Sequence, residues 1–280
     1  MRPIFVFCEG PHDIAFLSRI LLARNAERSE KALLDYPFWL AGYLIGRLKA
    51  RDSSVARFRR SGPILPDSLP LLDASFELNG GERLLLLFNC SGDQRQAEIK
   101  SMMKAIIFLA ENTTDAITRI PPFGFVLVHD ADHHTADERV ASLREAYGLT
   151  LDHIFPNFNQ LRANEFLRHQ DNGCGCVIFG GTDGGPGTLE GVVEPIFRRQ
   201  KSERIDAVAD FLERHGLPAS ETHSVSQRAK RSKAILTAAG QIESPSASLS
   251  VVIRETEHLI ATDLLEDDRC AQYLQVLTGV

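Results

Sequence analysis

Four short apolar runs along the chain are each followed by a polar turn and then by a segment whose apolar positions recur with helical spacing. The runs are residues 3–8, 84–88, 123–128 and 176–179. A short continuous apolar run bounded by turn residues is typical of a strand that is buried on both faces. Alternation of such strands with amphipathic helices predicts an α/β fold, in which a parallel sheet carries helices on both faces.

Two regions do not follow this alternation. Residues 26–83 are too long for a simple crossover, contain several prolines and include the sequence Asn79-Gly80-Gly81, which is typical of a hairpin turn. We therefore predict that 26–83 is an insertion within an α/β core of residues 1–200. Residues 201–280 have helical character and predict a helical C-terminal extension.

Carboxylates follow several of the predicted strands. Glu9 ends the first strand, Asp130 and Asp132 end the third, and Asp13 and Glu190 lie in the first turns of two of the helices. The carboxyl ends of parallel strands meet at one edge of a sheet, so we expect these groups to lie close together. Unpaired carboxylates would repel and raise each other's pKa values. A divalent cation removes that repulsion, and hard oxygen ligands favour Mg²⁺ or Mn²⁺ over Zn²⁺.

The pair Asp130 and Asp132 is the sharpest local signal. In an extended segment the side chains of alternate residues point to the same side, so both carboxylates could bind one ion. The alternative for Asp132 is that it, or a neighbour, caps the following helix. The alternative for Glu9 is a carboxylate that only complements a helix N-terminus.

Two of these stretches resemble the Toprim domain. Residues 6–13 (VFCEGPHD) are an apolar strand that ends in Glu-Gly with an Asp four residues after the Glu, and residues 126–132 (VLVHDAD) end in Asp-x-Asp. Toprim domains are the Rossmann-like catalytic modules of topoisomerases, primases, small RNA-maturation nucleases and the overcoming-lysogenization-defect nucleases. Residues 184–190 (GGPGTLE) resemble a segment of small stand-alone Toprim-like bacterial proteins.

The resemblance implies a role for each matching carboxylate. Glu9 would be the motif glutamate, which acts as a metal ligand or as the general acid/base. Asp130 and Asp132 would be the metal-binding pair. Asp13 and Glu190 would complete a second metal position, as in the overcoming-lysogenization-defect type.

The lysines of that type are matched only in part by this chain. The type carries a Gly-Gly-Lys-like turn after its second strand, whereas this chain has residues 89–93 (NCSGD) and no lysine there. The type also places a C-terminal lysine near the phosphate. Lys233 is our candidate for that catalytic role, with Lys230 as the alternative and as a nucleic-acid contact.

A nuclease activity is what the resemblance implies. Such an enzyme hydrolyses phosphodiester bonds of DNA or RNA, with Mg²⁺ or Mn²⁺ ions that bind the attacking and leaving oxygens. A lysine then offsets the charge that develops on the phosphate. Small bacterial proteins of this kind resemble effectors of antiviral defence. This chain carries no ATPase motif, so an AAA- or ABC-type ATPase partner would be a separate protein.

The charge distribution limits how nucleic acid could bind. The chain has 280 residues and a formal net charge of -6, which excludes a uniformly basic coat. Residues 47–60 form a local segment of net positive charge, which predicts phosphate contacts by Arg57, Arg59 and Arg60. The alternative is a solvated helix face.

The hydropathy and the cysteine content of the chain indicate in which cellular compartment the protein is expected. No apolar run approaches the ~18 residues that a membrane span needs, and no secretory signal is recognisable. The five cysteines then suit a reducing compartment, with Cys174 and Cys176 as core residues. We therefore expect a cytoplasmic protein without disulfides or membrane contact.

Two other functions remain open from the sequence. One is another Asp-x-Asp phosphoryl-transfer enzyme, a phosphatase or a nucleotide-sugar transferase. The other is a non-catalytic Toprim-like module that binds metal and a partner ATPase. Histidines 129, 133 and 134 flank the aspartate pair and are candidates either for proton transfer or for loop hydrogen bonds. The glycine-rich stretch 180–187 lacks the ending of a P-loop.

Overall fold

The computed structural model describes residues 1–29, 35–37, 39–42, 71–92, 95–113, 120–181, 183–200, 202–219, 223–257 and 259–279. Its strands are β1 (Arg2–Cys8), β2 (Glu27–Arg28), β3 (Leu71–Leu78), β4 (Arg83–Asn89), β5 (Gly124–Asp130), β6 (Phe166–His169) and β7 (Asn172–Phe179). Its helices are α1 (Pro11–Ala23), α2 (Gln96–Asn112), α3 (Ala136–Leu151), α4 (Leu189–Gln200), α5 (Ser202–Arg214), α6 (Val225–Gln241), α7 (Leu249–Glu255), α8 (Ala261–Glu266) and α9 (Asp268–Thr278).

The described strands form one sheet of seven strands in the order β2-β3-β4-β1-β5-β7-β6. The central strands β4, β1, β5 and β7 are parallel, which confirms the predicted parallel sheet. The edge strands are antiparallel to their neighbours, so the sheet as a whole is mixed. The four strand–turn–helix units read from the sequence are present as β1–α1, β4–α2, β5–α3 and β7–α4.

The predicted insertion needs correction. Strands β2 and β3 lie within 26–83 but belong to the core sheet, because β3 pairs with β4 in a hairpin. The hairpin turn at Asn79-Gly80-Gly81 is confirmed, and all three residues have the positive φ that this turn requires. Residues 43–70 lie outside the described residues, and with them the basic segment that holds Arg57, Arg59 and Arg60.

Alternation along the strands supplies two cores, one on each face of the sheet. In β1, Val6 and Cys8 face one core while Phe5 and Phe7 face the other. Helices α2 and α3 cover the aromatic face. The opposite face is covered by α1 and α4 together with buried residues of α5 to α9, so the C-terminal helices share the core of the sheet. Burial on both faces is why these strands read as continuous apolar runs.

The C-terminal helices are also tied to the core by hydrogen bonds. The guanidinium of Arg19 in α1 donates to the carbonyl oxygens of Thr256, at 3.0 Å, and Leu259. All five cysteines are buried, and none of them forms a disulfide bond. Within the described ranges, none of the helices has the length and apolar character that spanning a membrane would demand.

A glycine on α6 tests this packing. A Cβ on Gly240 would lie 2.1 Å from Cγ1 of Val252 in α7, whereas a Cβ on Gly191 in α4 would meet no atom within 4 Å. We expect Gly240→Ala to lower the free energy of unfolding by roughly 1–3 kcal/mol through overpacking. The matched control Gly191→Ala should raise it by ~0.5–1 kcal/mol through helix propensity. Urea unfolding measures both, and equal effects would contradict the close α6–α7 contact.

Candidate functional site

The first carboxylates of the site come from the β1–α1 turn. Glu9 follows the last residue of β1, and Asp13 lies in the first turn of α1 with 7% of its surface exposed. The Oδ2 atom of Asp13 accepts a hydrogen bond of 2.9 Å from the Gly10 amide. Asp13 thus completes the helix N-terminus while its carboxylate remains buried beside Glu9.

The register of the parallel strands places a histidine next to Glu9. Cys8 in β1 is opposite Val128 in β5, so the next residues, Glu9 and His129, are neighbours across the two strands. The Nδ1 atom of His129 lies 2.6 Å from Oε1 of Glu9, and the histidine is 5% exposed. His129 therefore orients the Glu9 carboxylate. The sequence indicated His129 only as a neighbour of the aspartate pair; the signal for this contact was its place one residue before Asp130.

Asp130 connects the end of β5 to the start of α4. Its Oδ1 atom accepts a hydrogen bond of 2.7 Å from the amide of Leu189, the first residue of α4. Glu190 follows immediately and is also buried, with 9% exposed. The structure therefore brings the ends of β1, β5 and β7 together, as the sequence predicted for a parallel sheet.

These carboxylates interact strongly. Burial is the main reason why the pKa of Asp130 rises to about 9, and the negative charges of Asp13, Glu9 and Glu190 raise it further. Burial likewise raises the pKa of Asp13 to about 7, although the hydrogen bond from Gly10 opposes the rise. The expected mutual repulsion of the carboxylates is therefore present at this edge of the sheet.

Asp132 has a different environment from the one predicted. Its φ of 55° is left-handed, so the chain turns after Ala131 and the extended geometry expected for Asp130 and Asp132 is wrong. Its Oδ2 atom lies 2.6 Å from a guanidinium nitrogen of Arg139, whose Nε donates to the Asp130 carbonyl oxygen. Asp132 does not cap α3, because Thr135 does so. The sequence analysis missed Arg139.

A cleft of about 370 Å³ opens beside these groups. Asp130, Asp132 and Glu190 line one side, and Lys230 and Lys233 of helix α6 line the other. Neither lysine forms an ion pair with a described residue, so both ammonium groups remain available to an anion. The C-terminal lysines and the carboxylates therefore line the same cleft.

His12 is a further neighbour that the sequence analysis did not identify. Burial lowers its pKa, the charge of Lys233 lowers it further, and the charge of Glu190 opposes the shift. His12 is therefore close enough to Lys233 and to Glu190 for both charges to act on it. Its place in residues 6–13, one position before Asp13, was the signal that could have found it.

Two backbone loops hold the site in shape. In the turn after β4, the amide of Gly92 donates to the Glu9 carbonyl oxygen at 2.7 Å. In the glycine-rich loop after β7, the amide of Gly181 donates to the Gly185 carbonyl oxygen at 2.9 Å. A Cβ on Gly187 would lie 2.8 Å from the Gly180 carbonyl carbon, so only glycine fits this closure. The loop positions α4 and uses its own amides to do so.

The donor chemistry fits a hard divalent cation, but the oxygens do not form a ready-made site. Among the described residues, no group of three or more His, Cys, Asp and Glu side chains is arranged to hold a metal ion. Asp132 is directed to Arg139, and one oxygen of Asp130 to the Leu189 amide. Metal binding at this edge would require side-chain rotation that brings the carboxylates closer together.

Comparisons with known proteins give information about the fold but not about the chemistry of the site. No family model and no curated protein matches the chain. The chain is similar to the crystal structure of hypothetical protein PH0156 from Pyrococcus horikoshii OT3, with a TM-score of 0.53 and 14% sequence identity over 100% of this chain and 95% of that one. At this identity the likeness shows a shared mixed α/β fold.

Asp130 should make stability depend on pH in a defined direction. The folded pKa values of about 9 for Asp130 and about 7 for Asp13 lie above the ~3.9 of an unfolded aspartate, so the folded state binds more protons in this interval. The metal-free protein should therefore lose stability as the pH rises from about 4 toward about 9.

Asp130→Asn removes the titrating group, and with it the pH dependence, and keeps the acceptor oxygen for the Leu189 amide. In EDTA near pH 8 we expect its free energy of unfolding to exceed that of the wild type by roughly 1–3 kcal/mol, because this pH is ~4 units above the pKa of an unfolded aspartate. Each kcal/mol corresponds to a rise in Tm of ~2–4 °C. Asp210→Asn on exposed α5 is the control and should match the wild type. A lower Tm for Asp130→Asn than for the wild type would contradict the buried repulsion.

Proposed function

We propose that this protein is a Mg²⁺- or Mn²⁺-dependent nuclease with a Toprim-like core that hydrolyses phosphodiester bonds of DNA or RNA. The observation that carries the proposal is a cleft lined by carboxylates and by Lys230 and Lys233, which form no ion pair with any residue that the structure describes. A phosphodiester with a bound cation matches both sides, because its phosphate is an anion and the cation offsets the carboxylates. The Toprim resemblance of residues 6–13 and 126–132 supports the same reaction.

The residues that would hold the cation are those whose charges act on Asp130. Glu9, Asp13, Asp130 and Glu190 come from the ends of three neighbouring strands, and their repulsion is what a cation would relieve. A bound divalent ion would supply Lewis acidity and a water of lowered pKa. Their oxygen-only chemistry favours Mg²⁺ or Mn²⁺.

The remaining side chains orient the reactants. The hydrogen bond from His129 fixes the carboxylate of Glu9, which is 21% exposed and is the candidate to accept a proton from the attacking water. Lys233 and Lys230 bind the phosphate and offset its growing negative charge in the transition state. The charge of Lys233 lowers the pKa of His12, in the first turn of α1, and this proximity supports a role for the lysine at the same site.

A second candidate function has its own support. The ion pair between Arg139 and Asp132 occupies one motif carboxylate, and the turn of residues 89–93 lacks a lysine. Both features favour a non-catalytic Toprim-like module that binds metal and a separate AAA- or ABC-type ATPase. The setting that we propose for either function, bacterial antiviral defence, rests on the family resemblance alone.

Metal binding can be tested without a substrate. We expect Mn²⁺ to raise the Tm of the wild type by about 5–10 °C at a hundredfold excess over Kd, since ligand binding at that excess adds ~2.7 kcal/mol. Asp130→Asn should lose most of this shift, and the exposed control Asp210→Asn should keep it. An undiminished shift in Asp130→Asn would place the ion elsewhere.

Catalysis requires a separate assay, with labelled single- and double-stranded DNA and RNA in Mg²⁺ or Mn²⁺. Loss of a general base reduces rates by ~10²–10⁴-fold and loss of a charge-stabilising group by ~10²–10³-fold, so we expect such losses for Glu9→Gln and Lys233→Ala. The exposed controls Glu213→Gln and Lys104→Ala should cleave like the wild type.

The outcomes separate the two candidate functions. Cleavage that neither Glu9→Gln nor Lys233→Ala slows would refute the proposed site. A wild type that shows the Mn²⁺ shift but cleaves no substrate would favour the non-catalytic module.

A further inference from the structure

Two neighbouring histidine rings lie in tilted contact at the rim of the cleft. The ring centroids of His133 and His134 are 4.1 Å apart with an angle of 39° between the planes. His133 is exposed and lines the same cleft as Asp130 and Lys230. The His133 ring therefore lies against a second ring, and its exposed part can contact a ligand in the cleft.

The turn that carries this pair is fixed by backbone hydrogen bonds. The amide of Asp132 donates to the Gly187 carbonyl oxygen at 2.8 Å, and the amide of His134 donates to the Ala131 carbonyl oxygen at 3.0 Å. Thr135 then caps α3 through the amide of Glu138. The backbone is therefore held on both sides of the histidine pair, which fixes where His133 leaves the chain.

We propose that His133 is a nucleobase-binding residue, and that the cleft takes an unpaired nucleotide of a single-stranded DNA or RNA. The inference rests on the proposed function, since it assigns the base that accompanies the bound phosphate. Aromatic side chains, histidine included, bind unpaired bases by stacking. A base within a duplex is covered by its neighbours on both faces, so it can reach His133 only when it is unpaired or flipped out.

The dimensions and charges of the cleft agree with one nucleotide. Its volume of about 370 Å³ is in the lower part of the ~300–1,000 Å³ range for small-ligand sites. The stacking ring lies on the carboxylate side, beside Asp132, and the two lysines lie on the α6 side. A nucleotide that spans the cleft would place its base on His133 and its phosphate between Lys230 and the carboxylates.

Binding to a labelled single-stranded oligonucleotide, followed by fluorescence anisotropy with Ca²⁺ in place of Mg²⁺, tests this assignment without cleavage. Arms with a DNA strand, the matching RNA strand and the DNA duplex distinguish the ligand forms. We expect His133→Ala to weaken single-strand binding by roughly 5- to 100-fold, because stacking contributes on that scale. His133→Phe should restore it. His153 is an exposed histidine just beyond the C-terminal end of α3, and His153→Ala should bind like the wild type.

The same variants are followed by the Mn²⁺ thermal shift, so that the two proposals fail separately. The stacking assignment would be overturned if His133→Ala left single-strand binding unchanged. It would also be overturned if the wild type bound a single strand no more tightly than a duplex. In either case an intact Mn²⁺ shift would leave the proposed metal site in place. A wild type that shows neither the Mn²⁺ thermal shift nor any strand binding would overturn the proposed function. Weak binding by His133→Phe as well would also reject stacking, because that ring keeps the π face.

Discussion

The repulsion among buried carboxylates at one edge of the sheet is the constraint around which this site is built. Asp130 receives the negative charge of three neighbours while burial removes the water that would screen them. A protein that needed only a stable fold would gain by replacing such groups with apolar or neutral ones. Perturbed carboxylates in a cleft are instead typical of a site that handles a proton or a cation.

The fold maintains this repulsion through backbone geometry. Parallel pairing of β1 with β5, and of β5 with β7, fixes which residues meet at the carboxyl edge. The closed glycine loop then brings the amide of Leu189 to Asp130, where the hydrogen bond offsets part of the unfavourable charge. On the outer side, a guanidinium nitrogen of Arg139 lies 2.6 Å from the Asp132 carboxylate and neutralises its charge. Negative charge is therefore concentrated among the buried carboxylates, whereas the charge of the more exposed Asp132 is neutralised by Arg139.

Much of this arrangement was visible in the sequence, because β1, β4, β5 and β7 are buried on both faces and read as continuous apolar runs. Their shared edge predicted that Glu9, Asp130 and Glu190 converge. Strand β6 was missed because four residues with mixed burial give no periodic signal. The contacts of His129 and Arg139 depend on strand register and on the left-handed turn at Asp132, which local sequence patterns do not encode.

Helix α6 gives the site its asymmetry. The carboxylates come from turns that the sheet holds rigidly, whereas Lys230 and Lys233 come from a helix that reaches the cleft from the C-terminal part of the chain. Because α6 packs on α4 through the shared core, the distance between opposite charges is fixed by apolar contacts such as those of Ile235 and Leu236. The lysines are thus held near the carboxylates without forming ion pairs with them. A gap of this kind between unlike charges suits a ligand that carries both signs, as a phosphate with its cation does.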